Sequence, residues 1–172
     1  MTNNYNPLDE LPDAETDILE RRQEVLARLE HLPRTPASFG LIHADLQFAN
    51  FFIDPADDLL TLYDFDDCCQ GWYMMDIALP LLDMLVLYPG HDREVFASRF
   101  LEHFITGYRT QCTPDPSLLA ELHTFLKLLE IGLYLQVAAY AEEATPDSWV
   151  GKFMPGRKES ILSRTPFVPV YL

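Results

Sequence analysis

Two short stretches carry residues whose types and spacing could do chemistry: His43-Ala-Asp45-Leu-Gln-Phe-Ala-Asn50, and Asp64-Phe65-Asp66 fourteen positions further on. Moving a terminal phosphoryl group onto a hydroxyl asks little of a protein. The hydroxyl must lie in line with the phosphorus, give up its proton late, and face a cation that neutralises the phosphate oxygens. A loop carboxylate such as Asp45 serves as base or orienter. An amide oxygen and a second carboxylate, Asn50 and Asp64, suit the hard cation Mg2+. The indicated chemistry is therefore ATP-dependent transfer to a hydroxyl.

Such residues need elements to hold them. Phe39 to His43, Phe51 to Ile53 and Leu59 to Tyr63 are short apolar, aromatic-rich runs, and Asp54-Pro-Ala-Asp-Asp58 between the last two has the composition of a turn. Pairing of those two runs would bring Asn50 and Asp64 together, so a small hairpin-like sheet is expected. Ahead of it, Asp13 to Asp17 offers capping side chains, and Ile18, Leu19, Arg22, Val25, Leu26 and Leu29 recur at helical spacing until Pro33. After Gly71 the pattern turns helical over Tyr73 to Tyr88, Asp92 to Gln111 and Ser117 to Glu143, broken at Pro89-Gly90 and at Thr113-Pro-Asp-Pro116. Pro80 predicts a kink or a later start in the first of these helices. Leu118 to Ala141 is apolar nearly all round and reads as a central helix. From Trp149 the tail reads as a short helix and an extended end. Strands followed by helices define an α+β fold.

Bulk properties narrow the partners. The chain has 172 residues, 48% of them apolar, enough for one globular core over residues 14–172, whereas Met1 to Asp13 reads as a loose, polar arm. A net charge of −15 repels polyanions and excludes nucleic acid as a natural partner. Cys68, Cys69 and Cys112 form no paired framework and read as reduced thiols of a cytoplasmic protein. No apolar stretch is long enough to span a bilayer, so no membrane association is expected.

The first stretch fits H-x-D-L-x-x-x-N, the catalytic-loop pattern of kinases, with Asp64-Phe65-Asp66 in the place of the metal-binding triplet. Gly40-Leu-Ile-His43-Ala-Asp45-Leu-Gln-Phe-Ala-Asn50, Tyr63-Asp64-Phe65-Asp66-Asp67-Cys68, Gly71-Trp72 and Asp76-Ile-Ala78 resemble the aminoglycoside phosphotransferase and choline kinase family. The resemblance implies the mainly helical C-terminal lobe of a protein-kinase-like fold, with a β-hairpin carrying the catalytic and metal loops. It implies Asp45 as catalytic base, Asn50 and Asp64 as Mg2+ ligands, and His43 and Asp76 as residues that orient the loop. The substrate would be a small-molecule hydroxyl, of an aminoglycoside, choline or a homoserine-like metabolite. Gln47, Phe48 and Ala49 depart from many relatives, and Asp66 stands where protein kinases have glycine.

Asp66, Asp67 and the Glu142-Glu143 pair are candidates for holding a cationic substrate, though acids at such places are more often a solvated face. A phosphohydrolase metal cluster of His43, Asp45, Asp64, Asp66 and Asp67 is the remoter enzyme reading, because His31, His91, His103 and His123 lack ligand spacing. Upstream of Asp45 there is no G-x-G and no lysine; the lysines are Lys127, Lys152 and Lys158. The expectation is that the nucleotide-binding N-terminal lobe is absent, leaving the chain inactive or weak until a separate lobe or a second copy covers the open cleft. The alternative is a non-enzymatic binding or interaction module derived from that lobe.

Overall fold

The computed structural model describes residues 15–170, so the N-terminal arm and the capping residue Asp13 lie outside the described residues. Helix α1 (Thr16–Leu29) buries Ile18, Val25 and Leu29 along one stripe, as its periodicity requires. Glu15 precedes it without capping it. Its carboxylate instead accepts from the Tyr134 hydroxyl at 3.1 Å and from Lys158 Nζ at 3.2 Å.

The three expected strands form as β1 (Phe39–Ile42), β2 (Phe51–Ile53) and β3 (Leu60–Leu62), but not as one sheet. A fourth strand, β4 (Cys69–Trp72), pairs antiparallel with β1, and β2 pairs only with β3, giving two separate two-stranded sheets. Cys-Gln-Gly-Trp has no alternation to announce a strand. It pairs because Gly40 faces Gly71 in the register. A Cβ at Gly40 would run into the Tyr73 ring, and one at Gly71 into Ile42, so both positions need the missing side chain for the strands and the next helix to approach.

Helix α2 (Met74–Leu87) runs without interruption through Pro80, correcting the expected later start. Pro80 is itself buried, and ten of the helix's fourteen residues are buried, so packing on several sides outweighs one lost backbone bond. Helix α3 (Arg93–Tyr108) stops short of Gln111.

The expected single helix from Ser117 to Glu143 is three pieces: α4 (Pro116–Ala120), α5 (Leu122–Val137) and a 3-10 segment (Ala138–Glu143). The first break falls at Glu121, whose carboxylate is held by Arg28 of α1 through two bonds of 2.8 Å and by the Thr124 hydroxyl at 2.6 Å. The tail likewise holds two short helices rather than one, α6 (Trp149–Phe153) and α7 (Arg157–Leu162).

α5 packs against α1, α2 and α7 and forms the spine of the core. Its apolar surroundings enclose one charged group of residues. Glu130, fully buried, accepts from Lys127, from Arg157 Nη1 at 2.8 Å and from the Ser160 hydroxyl at 3.3 Å, while Lys127 also reaches the Thr165 carbonyl at 2.7 Å. Burial lowers the Lys127 pKa in spite of Glu130. No helix among the described residues is long and apolar enough to cross a membrane.

One pH dependence follows from the α1, α5 and α7 junction. Burial first, then the neighbouring Glu15 carboxylate, pushes the Tyr134 phenol up from 10.0 to about 12. A raised folded-state pKa stabilises in full below the unfolded value and is lost as pH rises through the folded one. Tyr134 should therefore contribute fully below about pH 10 and progressively less up to about 12. Urea unfolding of wild type and Tyr134→Phe across that range checks this: the gap between the two should narrow with rising pH. A constant gap would show that the phenol is not linked to folding.

Candidate active site

The catalytic-loop segment leaves β1 through Ala44, which takes a left-handed φ of +67°. That conformation costs a residue with a Cβ about 1–2 kcal/mol. It is held by Asp76 near the start of α2, whose two carboxylate oxygens accept the backbone N–H groups of His43 at 2.7 Å and Ala44 at 2.9 Å. The buried His43 ring takes the N–H of Asp45 at Nδ1 (3.3 Å) and meets the Tyr63 carbonyl at Nε2 (3.0 Å). Both bonds are satisfied by the neutral tautomer with its proton on Nε2. His43 thereby ties the base-bearing loop to the residue before Asp64.

Asp45 is poised with its two oxygens in different roles. Oδ2 accepts from Asn50 Nδ2 at 2.6 Å and from Gln47 Nε2 at 3.1 Å. Oδ1 receives no donor among the described residues. Gln47, a departure from the resembled pattern, thus has a definite task in orienting the carboxylate.

Asn50 is buried at the end of a 3-10 turn (Phe48–Asn50). Its amide nitrogen is spent on Asp45 Oδ2 and on the Asp45 carbonyl at 2.9 Å, so its amide oxygen is left without a donor among the described residues. Its backbone carbonyl accepts from Tyr63 N at 3.1 Å, extending the β2–β3 pairing by one step. Asp64 follows at once, exposed and with a left-handed φ of +62°. Hairpin pairing therefore brings the two expected metal ligands together, as the sequence suggested. An amide oxygen and a carboxylate fit Mg2+, which keeps few protein ligands and completes its shell with phosphate and water. Among the described residues no three His, Cys, Asp or Glu side chains gather into a group that could hold a metal.

A cleft of about 490 Å3 opens beside Asp45, walled mainly by Leu26, Met75, Leu79, Leu128, Leu129 and Leu133 from α1, α2 and α5. Asp67 also lines it, whereas Asp66, Glu142 and Glu143 do not. The two glutamates end the exposed 3-10 segment after α5.

Sequence reasoning missed Asp83 and Trp149. Asp83, buried on α2, accepts the N–H of Phe48 at 2.7 Å with one oxygen and the Trp149 indole N–H at 2.5 Å with the other. A lone carboxylate inside Leu81-Leu82-Asp83-Met84-Leu85 was the available signal, since an Asp is seldom buried unless its oxygens are engaged.

Loop, hairpin and helical scaffold together have the form of a kinase-like fold. The chain matches the phosphotransferase enzyme family (APH) over residues 2–122 and belongs to it. The amicoumacin kinase of Bacillus subtilis (strain 168) is 30% identical over 126 residues, which cover 72% of this chain and 37% of that protein. Among solved structures, amicoumacin kinase hAmiN in complex with AMP-PNP, Ca2+ and Ami superposes with a TM-score of 0.82 at 28% identity, over 96% of this chain and 49% of that one. A microcompartment-associated aminopropanol kinase gives 0.62 at 28% identity, over 88% and 47%. The chain thus spans about half the length of the solved relatives, and less of the curated one.

Replacing Asp83 by Ala orphans two part-buried N–H donors and should destabilise the fold by about 2–4 kcal/mol. Asp83→Asn, which keeps one acceptor, should cost less. Urea denaturation of both variants checks the order, and equal stability of Asp83→Ala and wild type would contradict the assignment.

Proposed function

We propose that this chain is the catalytic-loop lobe of a small-molecule kinase, transferring the γ-phosphoryl group of ATP to a hydroxyl bound in the cleft beside Asp45. The observation that carries this reading is the donor-free Oδ1 of Asp45 at the edge of a half-open cleft, with the Asn50 oxygen and Asp64 at the neighbouring hairpin end. Asp45 Oδ1 takes the proton of the acceptor hydroxyl as its oxygen bonds to the γ-phosphorus. The bond to the β,γ-bridging oxygen breaks and ADP leaves. Asn50 and Asp64 would hold Mg2+, whose charge neutralises phosphate oxygens when bound. His43, Asp76 and Asp83 keep the loop in register without touching the reactants. The acceptor is taken from the classes of aminoglycosides, choline-like amino alcohols and homoserine-like metabolites. Asp67 is the acid best situated to meet an ammonium group, since it lines the cleft. The three unbridged cysteines suit a cytoplasmic setting.

We place the nucleotide cover on a separate lobe that docks on the β2–β3 hairpin, with a second copy of this chain as the other cover. Support comes from the hairpin itself. A strand normally buries alternate residues, yet Leu60, Thr61 and Leu62 are all exposed, as are Phe52, Ile53 and Phe65. The second reading is a binding module without turnover.

Two predictions separate these readings. With Mg-ATP, a hydroxyl acceptor and an N-terminal lobe of the family supplied in trans, turnover should appear. Asp45→Asn should lower it by about 100-fold or more, and Asp64→Asn should raise the Mg2+ concentration needed. Turnover indifferent to Asp45, or none with any lobe, would favour the binding module. Independently, Phe52→Asp with Leu62→Asp should weaken lobe association in sedimentation or light scattering while leaving the fold intact. Undiminished association would place the cover elsewhere.

A further inference from the structure

The cleft beside Asp45 carries information about the acceptor that the phosphotransferase reading does not use. Leucine and methionine make up much of its wall, with Arg22, Asp45, Asp67 and Gln136 as its polar lining, which suits an apolar body carrying a few polar groups. Helix α5 crosses it with Gly132 in mid-helix, where glycine costs about 1 kcal/mol relative to alanine. No neighbour explains this glycine by packing, since a Cβ there would meet nothing within 4 Å. Open space over a helical glycine, at the wall of a cleft that also holds Asp45, is room for a ligand.

Arg22 supplies the polar feature. It lines the same cleft from α1, half-buried, and has neither a hydrogen bond nor an ion pair among the described residues. Neighbouring arginines differ: Arg21 pairs with Glu24, Arg28 with Glu121, Arg157 with Glu130 and Arg164 with Glu24. Arg99 and Arg109 likewise carry no ion pair among the described residues, but the arginine that lines this cleft is Arg22. Such a group is completed by an oxygen anion, which it can grip through two parallel N–H bonds.

We infer that the acceptor is an amphiphilic hydroxy compound: an apolar body along the leucine wall and Gly132, an anionic oxygen group such as a carboxylate on Arg22, and its hydroxyl at Asp45. This rests on the phosphotransferase reading for the role of Asp45, while the binding elements stand on the cleft alone.

The test uses binding, so that it fails separately from catalysis. Two fluorescent probes share an arylnaphthylamine body: 1-anilinonaphthalene-8-sulfonate carries an anion and N-phenyl-1-naphthylamine does not. Arg22→Met and Arg22→Gln should each weaken the sulfonate probe about tenfold, the scale of a lost charge-assisted hydrogen bond, and leave the neutral probe within about twofold. Retained binding of the neutral probe also reports that the variants are folded. Gly132→Phe, which fills the cleft, should reduce the bound fraction of both probes. If the Arg22 variants affect both probes equally or neither, the anion subsite is wrong. If Gly132→Phe leaves both unchanged, the probes do not occupy the cleft and the inference falls. Neither result would bear on whether Asp45 supports phosphoryl transfer.

Discussion

Two carboxylates on one helix hold the catalytic loop. Asp76 and Asp83 lie seven residues apart on α2, two turns along the same face. Asp76 takes the N–H groups of His43 and Ala44 at the loop's start, and Asp83 takes that of Phe48 near its end. A charged acceptor makes each of these bonds stronger than a neutral one. Between the two anchors the backbone has little freedom, and Asp45 is presented by it. The left-handed turn at Ala44, unfavourable alone, persists because its own N–H and that of His43 are claimed by one half-buried carboxylate. The position of Asp45 is thus set by the rigid helix rather than by the loop's own sequence.

The same economy governs the metal side. Asn50 divides its functions, with the amide nitrogen steadying Asp45 and the backbone carbonyl opening the hairpin ladder. The amide oxygen is what remains for a cation. A hairpin of three-residue strands, marginal in isolation, suffices because it has to fix only the relation of Asn50 to Asp64. The His43 ring, between the Asp45 N–H and the Tyr63 carbonyl, ties loop to hairpin.

Much of this was legible in the sequence, and the exceptions have physical reasons. The fold links His43, Asp45 and Asn50 by hydrogen bonds and sets Asp64 directly after Tyr63, which His43 and Asn50 both meet. Strands β1, β2 and β3 declared themselves by aromatic and branched residues. β4 did not, because its pairing depends on what glycines leave out rather than on what side chains contribute. The long apolar run after Ser117 concealed the break at Glu121, which a distant partner, Arg28, imposes. Pro80 misled in the other direction, since burial on several sides outweighs a local backbone defect. Asp83 and Glu130 were hidden because their partners come from remote segments, Trp149 and Arg157. Local pattern reports local structure well and long-range polar pairing poorly.

The bond from Asp83 to the Trp149 indole gives the loop an optical handle. The chain has two tryptophans, and one of them shares a carboxylate with the backbone that presents Asp45. Indole emission responds to charge and hydrogen bonding at its nitrogen, so a rearrangement of the catalytic loop would be broadcast as a change of colour from a helix near the far end of the sequence.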